Sequence, residues 1–180
     1  TGSSDNGEVA PFFQLGTTGD FDGIYLDENN LRAQNGEKIL KAICTLKHLK
    51  VLSLNNNFLG QALKNEQAPI CILANLLITS VNLKVLDIGH NGIEGKTIYC
   101  LSEALVINKS LEHLSMDGNP LGKVGLALLM QARTRNTEQA FSISIKLAEG
   151  ETDSAADHRI KIFDKDKPPN QLKIAFVNPF

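Results

Sequence analysis

No stretch of 18 apolar residues occurs anywhere in the 180-residue chain, so nothing in it reads as a membrane-spanning helix. The Thr1-Gly2-Ser3-Ser4 start has no apolar core of a secretory signal. It also lacks an initiator methionine, from which a fragment is expected, with the parent's targeting signals outside it. A charge excess of either sign is missing too. Eighteen Lys and Arg against 20 Asp and Glu leave a net charge of −2, which argues against general binding to nucleic acid or to a membrane surface. Cysteine is scarce and odd in number. Cys44, Cys71 and Cys100 do not make a disulfide framework, and they read as small buried hydrophobes of a reduced compartment, giving an intracellular, cytoplasmic expectation. No Gly-rich phosphate loop follows a strand, and neither Cys-x-x-Cys nor His-Glu-x-x-His is present. No enzyme activity, cofactor or metal is therefore expected.

What the chain does have is a period. In Leu83-Lys84-Val85-Leu86-Asp87-Ile88-Gly89-His90-Asn91-Gly92-Ile93-Glu94-Gly95, apolar residues stand at positions 1, 4, 6 and 11 of the unit and an Asn at position 9. Positions 4 and 6 alternate with polar neighbours as a half-buried strand requires, and an Asn at the turn can bond backbone groups. Leu49, Leu52, Leu54, Asn57 and Leu59 repeat the frame, as do Leu111, Leu114, Met116, Asn119 and Leu121. Phe21, Ile24, Leu26, Asn29 and Leu31 give it in weaker form. Units starting at 21, 49, 83 and 111 are separated by 28, 34 and 28 residues, a 28-residue repeat with one six-residue insertion.

Each unit closes with a helical half. Position 19 is Ile39, Leu73, Leu101 or Leu129, position 22 is Ala42, Leu76, Ala104 or Ala132, and position 23 is Ile43, Leu77, Leu105 or Arg133. Spacings of three and four residues put these on one helix face, which must pack on the strands for either element to be stable. Strands are expected near 22–26, 50–54, 84–88 and 112–116, all parallel. In the first helix Ile39, Leu40, Ile43 and Leu46 form the inward stripe. The insertion, Lys64 to Pro69, should make a loop at one rim, with Pro69 starting the next helix.

Three segments follow from this pattern: 1–20 a flexible N-terminal lead and cap, 21–137 the repeats, and 138–180 a degenerate fifth strand plus a β-hairpin cap or a linker. Ala140, Ile143 and Ile145 continue positions 1, 4 and 6, so a fifth strand is expected within 141–147. The hairpin would pair Arg159 to Phe163 with Leu172 to Val177 across a turn holding two prolines. Asn108-Lys109-Ser110 is a glycosylation sequon, read as coincidental at a repeat junction.

The 28-residue unit, with Asn119-Pro120-Leu121-Gly122 followed by Gly125, and with Asn108-Lys109-Ser110-Leu111 between units, resembles the ribonuclease-inhibitor-like leucine-rich repeats. Such repeats also occur in Ran GTPase-activating proteins, nucleotide-binding innate immune receptors and many protist and ciliary proteins. The resemblance covers residues 21 to 137. It implies an α/β fold, a right-handed β/α solenoid of about four repeats with a parallel sheet inside and helices outside, used as a protein-binding surface. A small β-rich C-terminal cap would complete it.

The alternation also names the outward strand positions. Position 3 is Gly23, Val51, Val85 or His113; position 5 is Tyr25, Ser53, Asp87 or Ser115; position 7 is Asp27, Asn55, Gly89 or Asp117; position 8 is Glu28, Asn56, His90 or Gly118. These sixteen positions hold four carboxylates and no Lys or Arg, whereas Lys38, Lys41, Lys47, Lys96, Lys109, Lys123 and Arg133 lie in helical and junction segments. An acidic concave face is expected, with Tyr25, Asp27, Ser53, Asn55, Asp87, His90, His113 and Asp117 binding a protein partner that has a basic surface. Asp87, His90, His113 and Asp117 come from adjacent repeats, but parallel strands ~4.8 Å apart bring any two polar columns close, so no metal is assigned to them. The final Asn178-Pro179-Phe180 resembles the tripeptide ligand of EH domains. Two functions compete: a non-catalytic interaction module, a fragment or subunit of a larger assembly, and a GTPase-activating protein resembling the Ran-directed enzymes.

Overall fold

Ile24, Leu52, Leu86, Leu114 and Ile143, the fourth residue of successive units, stand side by side in one parallel sheet. The computed structural model describes residues 22–61, 68–146 and 173–175, and the N-terminal lead, most of the insertion, the Arg159 to Phe163 arm and the last five residues lie outside them. Strands β1 (Gly23–Tyr25), β2 (Val51–Ser53), β3 (Val85–Asp87), β4 (His113–Ser115) and β5 (Ser142–Lys146) are joined in sequence order, and β6 (Lys173–Ala175) adds to β5, again in parallel. The first four strands are as short as the pattern demands, because only three residues pass before the chain must turn toward its helix. Of the two arms expected to form a C-terminal hairpin, one contributes β6, which pairs with β5, and the Arg159 to Phe163 arm lies outside the described residues.

Helices α1 (Ala33–Ile43), α2 (Ile70–Thr79), α3 (Tyr99–Ile107) and α4 (Gly122–Arg135) alternate with the strands, and α2 packs on α3 as α3 does on α4. Helices α2, α3 and α4 bury their position-19 and position-22 residues in the core. Leu73, Leu101 and Leu129 are fully buried, as are Leu52, Leu86 and Leu114 opposite them, and all belong to one continuous core. In α1 Leu40 and Ile43 are buried and Ile39 is half-buried against the same core, while Leu46, expected in this helix, lies just past its end and packs half-buried on that core. Pro69 precedes α2 in helical conformation, and its carbonyl accepts from the Ile72 N–H, so the ring that cannot donate stands where no donor is needed.

Two asparagine ladders fasten the units. Along the strand-to-helix turns, Asn57, Asn91 and Asn119 are buried, and each bonds backbone of its neighbours. Asn57 Oδ1 accepts from the Asn29 and Leu31 N–H groups of the preceding unit, while its Nδ2 donates to the carbonyls of Leu26 and Leu54. Asn119 repeats this on Asn91, Ile93, Ile88 and Met116. The second ladder runs along the helix ends. Asn108 Nδ2 donates to Leu77 O at 2.6 Å and its Oδ1 accepts from the Ser110 and Leu111 N–H groups, and Asn136 does the like with Leu105 and Asn108 carbonyls. The sequon at Asn108 is thereby explained structurally: its amide nitrogen is buried and occupied.

One reading of the sequence is corrected. Cys71 and Cys100 are not two separate buried thiols but a disulfide with Cα atoms 5.5 Å apart, and only Cys44 is free. Both bonded residues are half-buried, near the starts of adjacent helices. With that bond present, cysteine usage no longer points to a reduced compartment. Among the described residues no helix is long and apolar enough to cross a membrane.

Candidate functional site

The parallel register places the outward residues of every strand in rows across one face of the sheet, opposite the helices. Along position 3 lie Gly23, Val51, Val85, His113 and Ser142; along position 5 lie Tyr25, Ser53, Asp87, Ser115 and Ser144. Because the alternate residues 24, 52, 86, 114 and 143 are committed to the core, the side chains between them have nowhere to go but this face.

Its three aspartates are held, not loose. Asp27 Oδ1 accepts from the Ser53 hydroxyl at 2.6 Å and from the Asn55 N–H at 2.8 Å, both from the next unit, and its other oxygen has no partner among the described residues. Asp87 Oδ1 accepts from the Gly89 N–H at 2.9 Å, and the Asn55 amide reaches both its oxygens at 3.3 Å. Gly89 matters here for space: a Cβ on it would lie 2.7 Å from Asn55 Nδ2 and 3.3 Å from Asp87 Oδ1, so any side chain would break the pair apart. Asp117 Oδ1 accepts from the Ser144 hydroxyl at 3.0 Å. Each of these bonds to a hydroxyl or side-chain amide crosses from one unit to the next, so stacking the repeats also orders the acidic groups.

Tyr25 is the most exposed aromatic of the face, 68% accessible, at its β1 edge. His90 is exposed at the rim with a left-handed backbone (φ 52°), and its N–H donates to Asp117 O at 2.7 Å. Its ring covers Gly118, itself left-handed at φ 66°, so closely that an added Cβ would fall within 2.3 Å of ring atoms. His113 is half-buried and its Nδ1 lies 2.7 Å from Ser142 Oγ, whose hydroxyl proton goes to Glu112 O. Among the described residues no three His, Cys, Asp or Glu side chains converge to hold a metal ion.

The eight residues anticipated for this face thus all lie on it. Asp27, Ser53, Asn55 and Asp87 are joined in one hydrogen-bonded run, while Tyr25, His90 and His113 stand apart from that run. Ser142 and Ser144 of β5 were not anticipated, although the alternation of Phe141, Ile143 and Ile145 marks them as outward. Lysines border the face without entering the four rows of the first four units: Lys50 Nζ is 3.1 Å from the Asp22 carboxylate, and Lys84 Nζ is 2.9 Å from Glu112. On the helical side Lys41 pairs with Glu37, Lys109 with Glu138 and Arg135 with Glu103, all well exposed and each worth little to stability.

The family model of the leucine-rich repeat matches residues 82–104, which span β3, the turn at Asn91 and the first part of α3. This match, with the repeated strand–turn–helix units, supports a leucine-rich-repeat protein. It is similar to NACHT, LRR and PYD domains-containing protein 5 of Bos taurus, 31% identical over 111 residues, which is 62% of this chain and 10% of that protein. It is similar also to the Rho GTPase-activating protein gacW of Dictyostelium discoideum, 25% identical over 128 residues, 71% of this chain and 11% of that protein. The chain spans about a tenth of the length of each of these relatives.

Proposed function

We propose that this leucine-rich-repeat chain is a non-catalytic protein-interaction module, part of a larger protein or assembly, whose strand face receives a partner with a basic surface. The observation that carries the reading is the run Asp27–Ser53–Asn55–Asp87, in which two carboxylates are pre-positioned by hydrogen bonds from neighbouring units. Groups already ordered lose little entropy when a cation docks on them, and their field steers its approach. Tyr25 adds rigid amphipathic area of the kind that anchors interfaces. In the ribonuclease-inhibitor-like subtype that the repeat length resembles, this face would be the concave side of a right-handed solenoid. Affinity capture from the source cell, run side by side with wild type and with the Asp87→Asn, Asp117→Asn double variant, tests the proposal. Proteins retained by wild type and lost by the variant support it; an identical retained set refutes it.

A second reading, stimulation of a GTPase, is favoured by the similarity to the Rho GTPase-activating protein of Dictyostelium discoideum. Single-turnover GTP hydrolysis by small GTPases of the Ran and Rho classes, with and without the chain, decides it. Acceleration would replace the non-catalytic reading.

A further inference from the structure

The disulfide occupies a place that nothing in the strand face explains. Cys71 is the second residue of α2 and Cys100 the second of α3, so the bond joins two neighbouring units on the helical side and closes a loop that contains the rest of α2 and all of β3. We propose that Cys71–Cys100 is a thiol-controlled clamp on the joint between the second and third repeats, opened and closed by a small thiol–disulfide couple of the glutathione class. The proposal does not depend on what binds the strand face.

Three features carry it. Both sulfurs belong to half-buried residues, so a small thiolate has a path to them that it would lack in the core. Beneath the bond, Leu73, Leu76 and Leu77 of α2 and Leu101, Ala104 and Leu105 of α3 are buried in the same cluster, so the joint keeps its apolar packing when the bond is cut and the change is reversible. The flanking joints have no such bond: α4 is tied to α3 by the exposed Arg135–Glu103 pair, and Cys44 of the first unit, whose Sγ lies 3.7 Å from Ile72 O, remains a free thiol. The clamp therefore acts on one joint of the stack. In opening, a thiolate attacks one sulfur to give a mixed disulfide, and a second thiol displaces it. Two electrons pass to the protein, which gains two thiols as the small couple leaves as its disulfide. Closing runs the same exchange backward and consumes one small disulfide.

The test equilibrates the full chain in buffers of increasing reduced-to-oxidised glutathione ratio, counts free thiols by quenched alkylation and mass spectrometry, and follows amide hydrogen exchange in α2 and α3. The expected count is one in oxidising buffer and three in reducing buffer with the helical circular dichroism retained. Exchange at the joint should quicken on the order of a hundredfold on opening, the scale for releasing a loop of this size. The Cys71→Ala, Cys100→Ala variant should exchange at the reduced rate at every ratio. Three thiols throughout, one thiol throughout, loss of helix on reduction, or exchange rates equal in both states would each overturn the clamp, and the thiol count decides even if the double variant fails to fold.

Discussion

Asn119 reaches back one repeat to accept the Asn91 N–H on its Oδ1 at 2.9 Å, so that these two ladder residues are bonded directly to one another. The same oxygen takes the Ile93 N–H, and the amide nitrogen gives its two protons to Ile88 and Met116 carbonyls. Four backbone groups at a fully buried site thus depend on one side chain. Asn119→Ala should leave them without partners, and a buried polar group left unpaired costs about 1–3 kcal/mol. Asn29, its counterpart in the first unit, is exposed and among the described residues bonds only the Asp27 carbonyl through its side chain, so Asn29→Ala should stay within about 0.5 kcal/mol of wild type. Denaturant midpoints of the two variants make the comparison, and equal shifts would show that the ladder adds nothing to the stack.

Leu86 lies between Leu52 and Leu114 in the sheet register and is wholly buried. Removing its isobutyl group opens a cavity lined by two neighbouring units, where relaxation toward one packs poorly against the other. Leu86→Ala should cost about 2–5 kcal/mol, a large part of the total for a small domain. Chemical denaturation read by circular dichroism measures it, and an unchanged midpoint would contradict the burial of this column.

The contrast between Leu86 and Cys71 explains what the sequence could and could not convey. Leu86, Asn91 and Leu101 sit in columns repeated unit after unit, and a column can be read from one sequence because strand and helix periods each force the same residue type to recur. The parallel sheet and the turn asparagines were legible for that reason. Cys71 and Cys100 stand one position apart in the repeat frame and 29 residues apart in the chain, so no column flags them, and an odd count of cysteines hides a single pair. The acidic rows were legible as composition, but the bonds that order them were not, since Ser53 and Asn55 could equally have faced water. Ser142 and Ser144 were obscured by the shift of the fifth unit from 28 to 29 residues, with no ladder Asn to mark it.

Cys44 offers a pH test. Burial pushes its thiol above the usual range, the one opposing influence being a backbone hydrogen bond from Leu76. Neutral-pH alkylation of the folded chain should therefore be much slower than that of the unfolded chain, and should rise only in strongly alkaline solution. The stability sign follows from the raised value: the folded state carries no penalty from this group below the unfolded thiol's titration, and loses stability as pH climbs past it toward the folded one. Cys44→Ala should flatten the alkaline end of the stability profile, and a profile unchanged by the substitution would contradict the shift.

Under the proposed function, Asp87 and Asp117 are the charges that a cationic partner meets on the strand face. Their row positions on β3 and just past β4 set them within one unit of each other, each fixed by a neighbour's side chain, while Lys38 and Lys41 stand on the opposite, helical side. Replacing the two carboxylates by amides keeps shape and much of the hydrogen bonding but removes two charges from the strand face. An encounter driven by those charges should then slow and lose part of its salt dependence, because exposed charges are screened over roughly 8 Å at physiological ionic strength. Association rates of a captured partner, measured at low and high salt for Asp87→Asn with Asp117→Asn and for Lys38→Gln with Lys41→Gln, separate the two faces. The aspartate pair should slow binding at low salt with little effect at high salt, and the lysine pair should leave it unchanged. Slowing by the lysine pair alone would move the interface to the helices.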